Sequence, residues 1–585
     1  MFCKRAKPLV FLTISFILIA TGNGCARAGA AAVERLAVMP IENLSSDAQL
    51  DWSSRASAAV VVYDLAGARK IFAKQVGSLS EAQSMQASRL LEGYFFVRNG
   101  RIGIRATIED LEGKKAVQSW EVDGPAAGGF LPLANQLARN LSSDARTFGT
   151  SQENAFRFFG GAMATRDPKN AEQALQQSAD ADPGFAAAYV EQAKLLAETG
   201  DREGARRVAE AGEKARLDPI ERADLKYAAA STSGDTGNRM QALESLAAAT
   251  PADANIFREL GEIRFGRREF QKAVMEYRAA VSLEPGNPQI WNQLGYALAW
   301  TKDLKGAREA LAEYQKLAPG DVNALDSQGE VSYMLGDFQS AAGYFERAAA
   351  KNPQEWGKAA EARLMMGDLK GADALFAKSV RPGANAQIQM AQWEYLTGRR
   401  KAGVFNMERL APALTGDLLS LGLSQLAIWK LESGDGKAAT EWANEASARS
   451  QNPQVRGVSA AIQFLADGNA ASSGSKMVDA YALMLAKRYR EAVPLLQVEY
   501  GESNPSTDWQ VRTLLAWAYV ETGEMDRAAG LVTPFPLPLL SAESVFSSVI
   551  FPRYLFVRSA VLQNQGKIDE ARKSYQMPDR EPRPL

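Results

Sequence analysis

Apolar positions follow three rhythms along this chain of 585 residues. From Leu9 to Ala20 they run almost unbroken behind Lys4, Arg5 and Lys7. That run is too short to cross a bilayer comfortably, which takes about 20 residues. From residue 35 to residue 141 the pattern breaks into short bursts. Residues 35–41 predict a buried strand entering a cap at Asn43-Leu44-Ser45-Ser46. Residues 52–65 have helical spacing, 70–76 predict a second strand and 80–87 a short helix. Residues 94–97 face 101–108 across Asn99-Gly100, the pair that a type I′ turn favours. Ile102, Ile104, Ala106 and Ile108 alternate, as one buried sheet face requires. A third strand over 116–122 follows the Glu112-Gly113 turn, and an amphipathic helix over 130–141 closes the unit.

Beyond residue 152 the spacing is helical and returns every 34 residues. Phe257, Trp291 and Leu325 mark the beat, as do Gly261, Gly295 and Gly329. Ala273, Ala307 and Ala341 keep it, with Tyr277, Leu311 and Phe345, and with Pro285, Pro319 and Pro353. This order of large, Gly, Ala, large and Pro resembles the tetratricopeptide pattern. Small residues let the two helices of a hairpin approach, large ones fill around them, and Pro ends the second helix. Each pair leaves an apolar face that only its neighbour can cover. Ala171, Pro183 and Ala205 carry the phase upstream. A Gly-x-x-x-x-Ala turn recurs at Gly200, Gly336, Gly367, Gly434, Gly523 and Gly566. The step from Ala341 to Ala372 is 31, so one first helix is about a turn short. Ten to twelve helical pairs are expected over 152–577, in two parts, 152–467 and 476–577. A polar break over 468–475 separates them, and 578–585 reads as a disordered tail.

The segments AVMPIENLSSD and LEGYFFVRNGRIGIRATIEDLEGKKAVQSWEV give residues 33–146 a second resemblance. They look like the TolB amino-terminal-type α/β domain that precedes tetratricopeptide arrays in many bacterial proteins. The chain departs from that pattern at DWSSRASAAVVVYDLAG, where many relatives have a Gly-containing helix. The resemblance implies a fold and no active site. The expected fold class is an α+β N-terminal domain followed by an all-α tetratricopeptide superhelix. Relatives of the N-terminal domain are often fused to DNA-binding, kinase or cyclase modules. Two roles therefore stay open: a structural cap for the array, or the sensing part of an envelope signalling system with a separate effector.

Composition narrows the chemistry. Lys and Arg total 67 against 68 Asp and Glu, for a net charge of −1. A nucleic-acid binder normally shows a basic excess, so no nucleic-acid partner is expected. Histidine is absent and the two cysteines are Cys3 and Cys25. Ser-His-Asp and Cys-His catalysis, HExxH zinc and thiolate metal sites all lose a central group. No enzyme activity, cofactor or metal is expected. Ser433-Gly-Asp-Gly-Lys437 lacks the outer residues of a phosphate loop, and Asp180-Ala-Asp182 lacks the other ligands of a calcium loop. Residues 1–30 have the layout of a signal peptide. Ala26-Arg27-Ala28 fits a cleavage site, while Gly24-Cys25 resembles the end of a lipobox, with lipidation at Cys25; an uncleaved anchor is the third option. The expected location is periplasmic or outer-membrane-associated.

In tetratricopeptide families the inner face of each first helix carries the ligand contacts, at steps 2, 5, 9 and 12 of the repeat. The resemblance places these at Asn255, Arg258, Glu262 and Phe265, at Gln289, Asn292 and Tyr296, and at Asn323, Asp326, Glu330 and Tyr333. Polar groups interleaved with aromatics suit a peptide segment or protein partner. Glu262, Tyr296 and Glu330 stand where chaperone-binding relatives have Asn, so a chaperone tail is not the expected ligand. Residues 531–556, with prolines at 534, 536, 538 and 552, are expected to form a loop over the edge of the array or an apolar docking patch.

Overall fold

The computed structural model describes residues 33–414, 416–450, 452–467, 473–504, 508–533, 537–538 and 546–575. The leader with Cys25, most of the 468–475 break, Pro534, Pro536 and the 578–585 tail lie outside the described residues.

The N-terminal unit is one twisted sheet with helices on both faces. Strands β1 (Glu34–Val38), β2 (Glu42–Asn43), β3 (Ile71–Gln75), β4 (Arg89–Arg98), β5 (Arg101–Asp110) and β6 (Lys115–Pro125) alternate with helices α1 (Trp52–Leu65) and α2 (Leu79–Ser84), and α3 (Leu131–Leu141) follows. The sheet order is β3-β1-β4-β5-β6, with the short β2 beside β4. The β1, β3 and β4 pairings are parallel; β4, β5 and β6 form an antiparallel meander. Asn99 (φ 52°) and Gly100 (φ 70°) both take the left-handed conformation that a type I′ hairpin needs. They fix Arg98 opposite Arg101, and this register turns Ile102, Ile104, Ala106 and Ile108 inward. Leu36 and Val38 pack on the α1 face, Ala37 on the α2 face.

Among the described residues, the 25 helices from Glu153 to Tyr575 form 12 antiparallel pairs and one extra helix, Pro453–Asp467. The repeat glycines act where the sequence placed them. A Cβ on Gly261 would stand 2.6 Å from the Tyr277 ring, on Gly295 2.7 Å from Leu311, and on Gly329 2.5 Å from Phe345. Phe345 is fully buried and has no room to swing aside. Gly329→Ala is therefore expected to cost about 1–2 kcal/mol, because overpacking outweighs the helix propensity gained. A lower urea midpoint at unchanged slope is the readout.

The sheet and the first hairpins share a single core. Phe95 and Ile104 of the sheet, Phe130, Phe148, Phe156, Phe159 and Phe185 belong to one buried cluster. Gly160 lets Glu153–Ala164 cross α1 closely, since a Cβ there would meet that of Ala56 at 2.7 Å. The sheet unit also grips the loops between later hairpins. The Arg35 guanidinium donates to Glu284 at 3.1 Å, the Gln86 amide to the Gly286 carbonyl at 2.7 Å, and Arg146 pairs with Asp218.

The opposite edge of the same repeats is gripped by the far end of the chain. At the hairpin turn where other repeats have a left-handed glycine, three carry Arg268 (φ 62°), Lys302 (φ 61°) and Lys487 (φ 59°). Arg268 lies 4.3 Å from the Tyr500 ring centre and donates to the Tyr500 carbonyl at 2.9 Å and to Asp508 at 2.8 Å. Lys302 donates to the Thr533 carbonyl, and the Leu537 amide to the Met334 carbonyl at 2.9 Å. Three successive turns thus clasp residues 500–537, and the array closes on itself.

The stretch expected as a loop over 531–556 is in part a helix. Ser547–Asn564 is helical with Pro552 inside it, and Val549, Ile550, Phe551, Tyr554 and Leu555 are buried. Ser548 accepts from Gln425 at 2.7 Å and from the Trp429 indole at 3.1 Å, and Arg553 pairs with Glu432 at 2.9 Å. Burial against earlier helices overrides the local signal of Pro552, and these buried side chains form no exposed docking patch.

Candidate functional site

The predicted inner-face residues come from three consecutive first helices, Ala254–Gly266, Pro288–Trp300 and Val322–Met334. Each begins on an Asp or Asn cap. Asp253, Asn287 and Asp321 accept the backbone N–H of Asn255, Gln289 and Asn323 at 2.9, 3.0 and 2.9 Å. The cap fixes the helix start, and the side chains of Asn255, Gln289 and Asn323 stand exposed one repeat apart.

One turn further in, the polar side chains bind one another across the helices. Arg258 donates to Glu262 at 2.6 Å, and Gln293 of the next first helix donates to the same carboxylate at 2.7 Å. Tyr296 donates to Glu330 at 2.5 Å. Lys358, from Glu355–Met365, donates to Asp326 at 2.6 Å and Glu330 at 2.8 Å. The same device runs upstream, where Lys194 meets Asp224 at 3.3 Å and Tyr227 donates to Glu259 at 2.8 Å. A carboxylate thus links each first helix to the next from Lys194 to Lys358. Burial, reinforced by Glu330, holds the Tyr296 hydroxyl far above its ordinary pKa, so it stays a donor. Burial raises the Asp326 carboxyl, against the pull of Lys358. Burial lowers Lys358, but Glu330 and Asp326 outweigh it and keep the ammonium charged.

The remaining predicted residues have different surroundings. Asn292 is half-buried, and its side-chain oxygen has no hydrogen-bond partner. Phe265 meets Phe270 and Trp300 edge-on at 5.2 and 5.6 Å, and the Arg512 guanidinium of a late repeat lies 5.8 Å from the Trp300 ring. Tyr333 is fully buried against Phe338, in a cluster that Leu537 packs on. Asn255, Arg258, Glu262, Gln289 and Asn323 are therefore the predicted residues that keep solvent access, with Asp326, Tyr296 and Glu330 behind them.

Lys358 was not legible as part of this set. It lies in the repeat whose step is 31 rather than 34, where the fixed spacing fails. The irregular step itself was the available signal. Among the described residues no group of three or more acidic, His or Cys side chains could hold a metal ion, and no helix is long and apolar enough to cross a membrane.

Residues 258–322 match the tetratricopeptide repeat family. A curated relative, the peroxisomal targeting signal receptor of Candida albicans, is 30% identical over 90 residues. That match spans 15% of this chain and 15% of the relative's length. Among solved structures, the C-terminal part of a TPR repeat-containing protein from Cytophaga hutchinsonii aligns with 36% of this chain and 89% of its own, at 14% identity and a TM-score of 0.32. PilF of Pseudomonas aeruginosa aligns with 32% of this chain and 85% of its own, at 14% identity and a TM-score of 0.27. Residues 258–322 thus carry the tetratricopeptide repeat pattern within the array of helical hairpins.

Proposed function

We propose that this chain is an exported, non-enzymatic scaffold that binds a peptide segment or protein partner in the bacterial cell envelope. The observation that carries the reading is the row of Asn255, Gln289 and Asn323, exposed at three successive helix starts beside the half-open Arg258–Glu262 pair. Amide side chains at a regular spacing pair with the backbone of an extended segment, and the flanking ion pair favours a polar ligand. The carboxylate ladder behind them ties the helices together, which preorganises the row and lowers the ordering cost of binding. The basic head and short apolar run of residues 1–30 support export, with Cys25 as a candidate lipid anchor.

Crosslinking capture from envelope extracts tests this. Asn255→Ala and Gln289→Ala remove exposed side chains, so that double variant should melt like the wild type, whereas Asn323→Ala also gives up its 2.9 Å bond to the Tyr314 hydroxyl. Each change is expected to weaken the partner about three- to tenfold, the range of a modest interface contact. An unchanged partner list would remove this face from the account. Fractionation, with globomycin present or absent, tests the location and Cys25 separately.

A further inference from the structure

A cleft in the sheet domain lies apart from the inner face of the repeats. Its volume is about 480 Å³, and it is lined by Arg55, Gln75, Val76, Gly77, Ser78, Glu81 and Arg166. Its position follows from the topology. β1 leads through α1 to β3 on one side, and β3 leads through α2 to β4 on the other, so the two connections leave on opposite faces of the sheet. The cleft opens at the carboxyl end of the edge strand β3, one strand away from the β1–β4 gap where the strand order reverses. The end of β3 and the residues after it, Gln75 to Ser78, form one wall, and Arg55 of α1 forms the second. The close crossing at Gly160 brings the loop after Glu153–Ala164, with Arg166, to the third.

The chemistry of the walls is specific. Neither Arg55 nor Arg166 has a carboxylate partner among the described residues. Glu81 accepts the Gly77 amide at 2.6 Å, and the Gln75 amide donates to the Arg55 carbonyl at 3.2 Å, so the wall between the arginines is held in place. Two guanidinium groups lining one cleft from different elements favour a polyoxygen anion. A phosphate monoester offers three oxygens and up to two negative charges to the pair, against two oxygens and one charge on a carboxylate. The volume exceeds what a bare phosphate fills and lies within the range of small-molecule sites. No aromatic side chain lines the cleft to stack a base, while Gln75, Ser78 and Glu81 offer groups that pair with hydroxyls. We propose that this cleft binds the phosphate monoester of a small sugar or polyol, the phosphate between Arg55 and Arg166 and the hydroxyls toward Gln75, Ser78 and Glu81.

Calorimetric titration of the full chain with glucose 6-phosphate, glycerol 3-phosphate, inorganic phosphate, glucose and succinate tests it. Saturable binding of at least one of the two esters is expected, at least tenfold tighter than inorganic phosphate or succinate, with glucose alone silent. Arg166→Gln changes an exposed loop side chain and should leave the unliganded melting temperature unchanged. It is expected to weaken the ester about ten- to a hundredfold, the range of a lost charge-assisted pair. Arg55→Lys keeps the charge and removes the fork, and should weaken it about as much. No saturable binding of either ester, binding unaffected by Arg166→Gln, or equal affinity for inorganic phosphate or succinate would each overturn the assignment. The outcome is independent of the peptide-binding reading, because no residue is shared between the two sites.

Discussion

Arg553→Met is expected to destabilise the C-terminal repeats by about 3–5 kcal/mol, the cost of leaving one charge of a buried pair alone. Arg553 pairs with Glu432 at 2.9 Å, and both side chains are almost fully buried. Tyr481 donates to the same carboxylate at 2.6 Å, and the Trp517 ring lies 4.5 Å from the guanidinium. Burial pushes the Glu432 carboxyl up, but Arg553 outweighs it and holds the pKa below its ordinary value. Without Arg553 the carboxylate must protonate or drag water inward. The combined variant Glu432→Leu, Tyr481→Phe and Arg553→Met removes both charges of the pair together with the hydroxyl bonded to it. It should recover most of the loss, since apolar replacement of a complete buried pair is often nearly neutral. Urea titration followed by tryptophan fluorescence reads the effect, because Trp429, Trp509 and Trp517 all lie in this core. A single variant within about 1 kcal/mol of wild type would show that the pair is better hydrated than its packing implies.

A second large effect is expected at Asp64, with pH as the variable. Asp64 is buried near the C-terminal end of α1, and neither carboxylate oxygen has a hydrogen-bond partner. Burial raises its pKa from 3.8 to about 7, against the opposing pull of Arg146 and Arg139. The unfolded chain therefore releases this proton at lower pH than the folded one. Between the two values the folded state holds more protons, so each rise in pH favours unfolding. The contribution is harmless below the unfolded value and reaches a penalty of up to about 4 kcal/mol above pH 7. Stability of the wild type, measured by urea titration from about pH 4 to about pH 8, should decline relative to Asp64→Asn and run parallel to it beyond. A difference between the two proteins that does not change with pH would mean that Asp64 is already ionised in the fold.

Local signals carried most of the architecture. Asn99-Gly100 announces its turn because both residues tolerate the left-handed backbone that the turn imposes. The repeat announces itself because Gly261, Gly295 and Gly329 each oppose a large residue 16 positions later, and the structure brings those same pairs together. What the sequence hid was contact between distant segments. Nothing near Ser548 or Arg553 indicates that Gln425, Trp429 and Glu432 will meet them, and four prolines argued for a loop. Arg268 and Lys302 were visible as departures from Gly in the hairpin turn, yet their partners lie more than 200 residues away. On the inner face, periodicity located the helices and their exposed starts. It could not say which polar groups would be consumed by neighbours, as Tyr296 is by Glu330 and Asp326 by Lys358.

The clasp between the middle turns and residues 500–537 bears on how the molecule comes apart. An open row of helical hairpins frays from its ends, each unit melting with little regard for distant ones. Here the tip of the rod is buttoned onto its waist, and the sheet is buttoned onto the other side. Losing the final hairpins strips cover from the fourth, fifth and sixth, so damage spreads inward instead of stopping. One sharp melting step is expected, along with slow refolding, since fasteners this far apart in sequence close late.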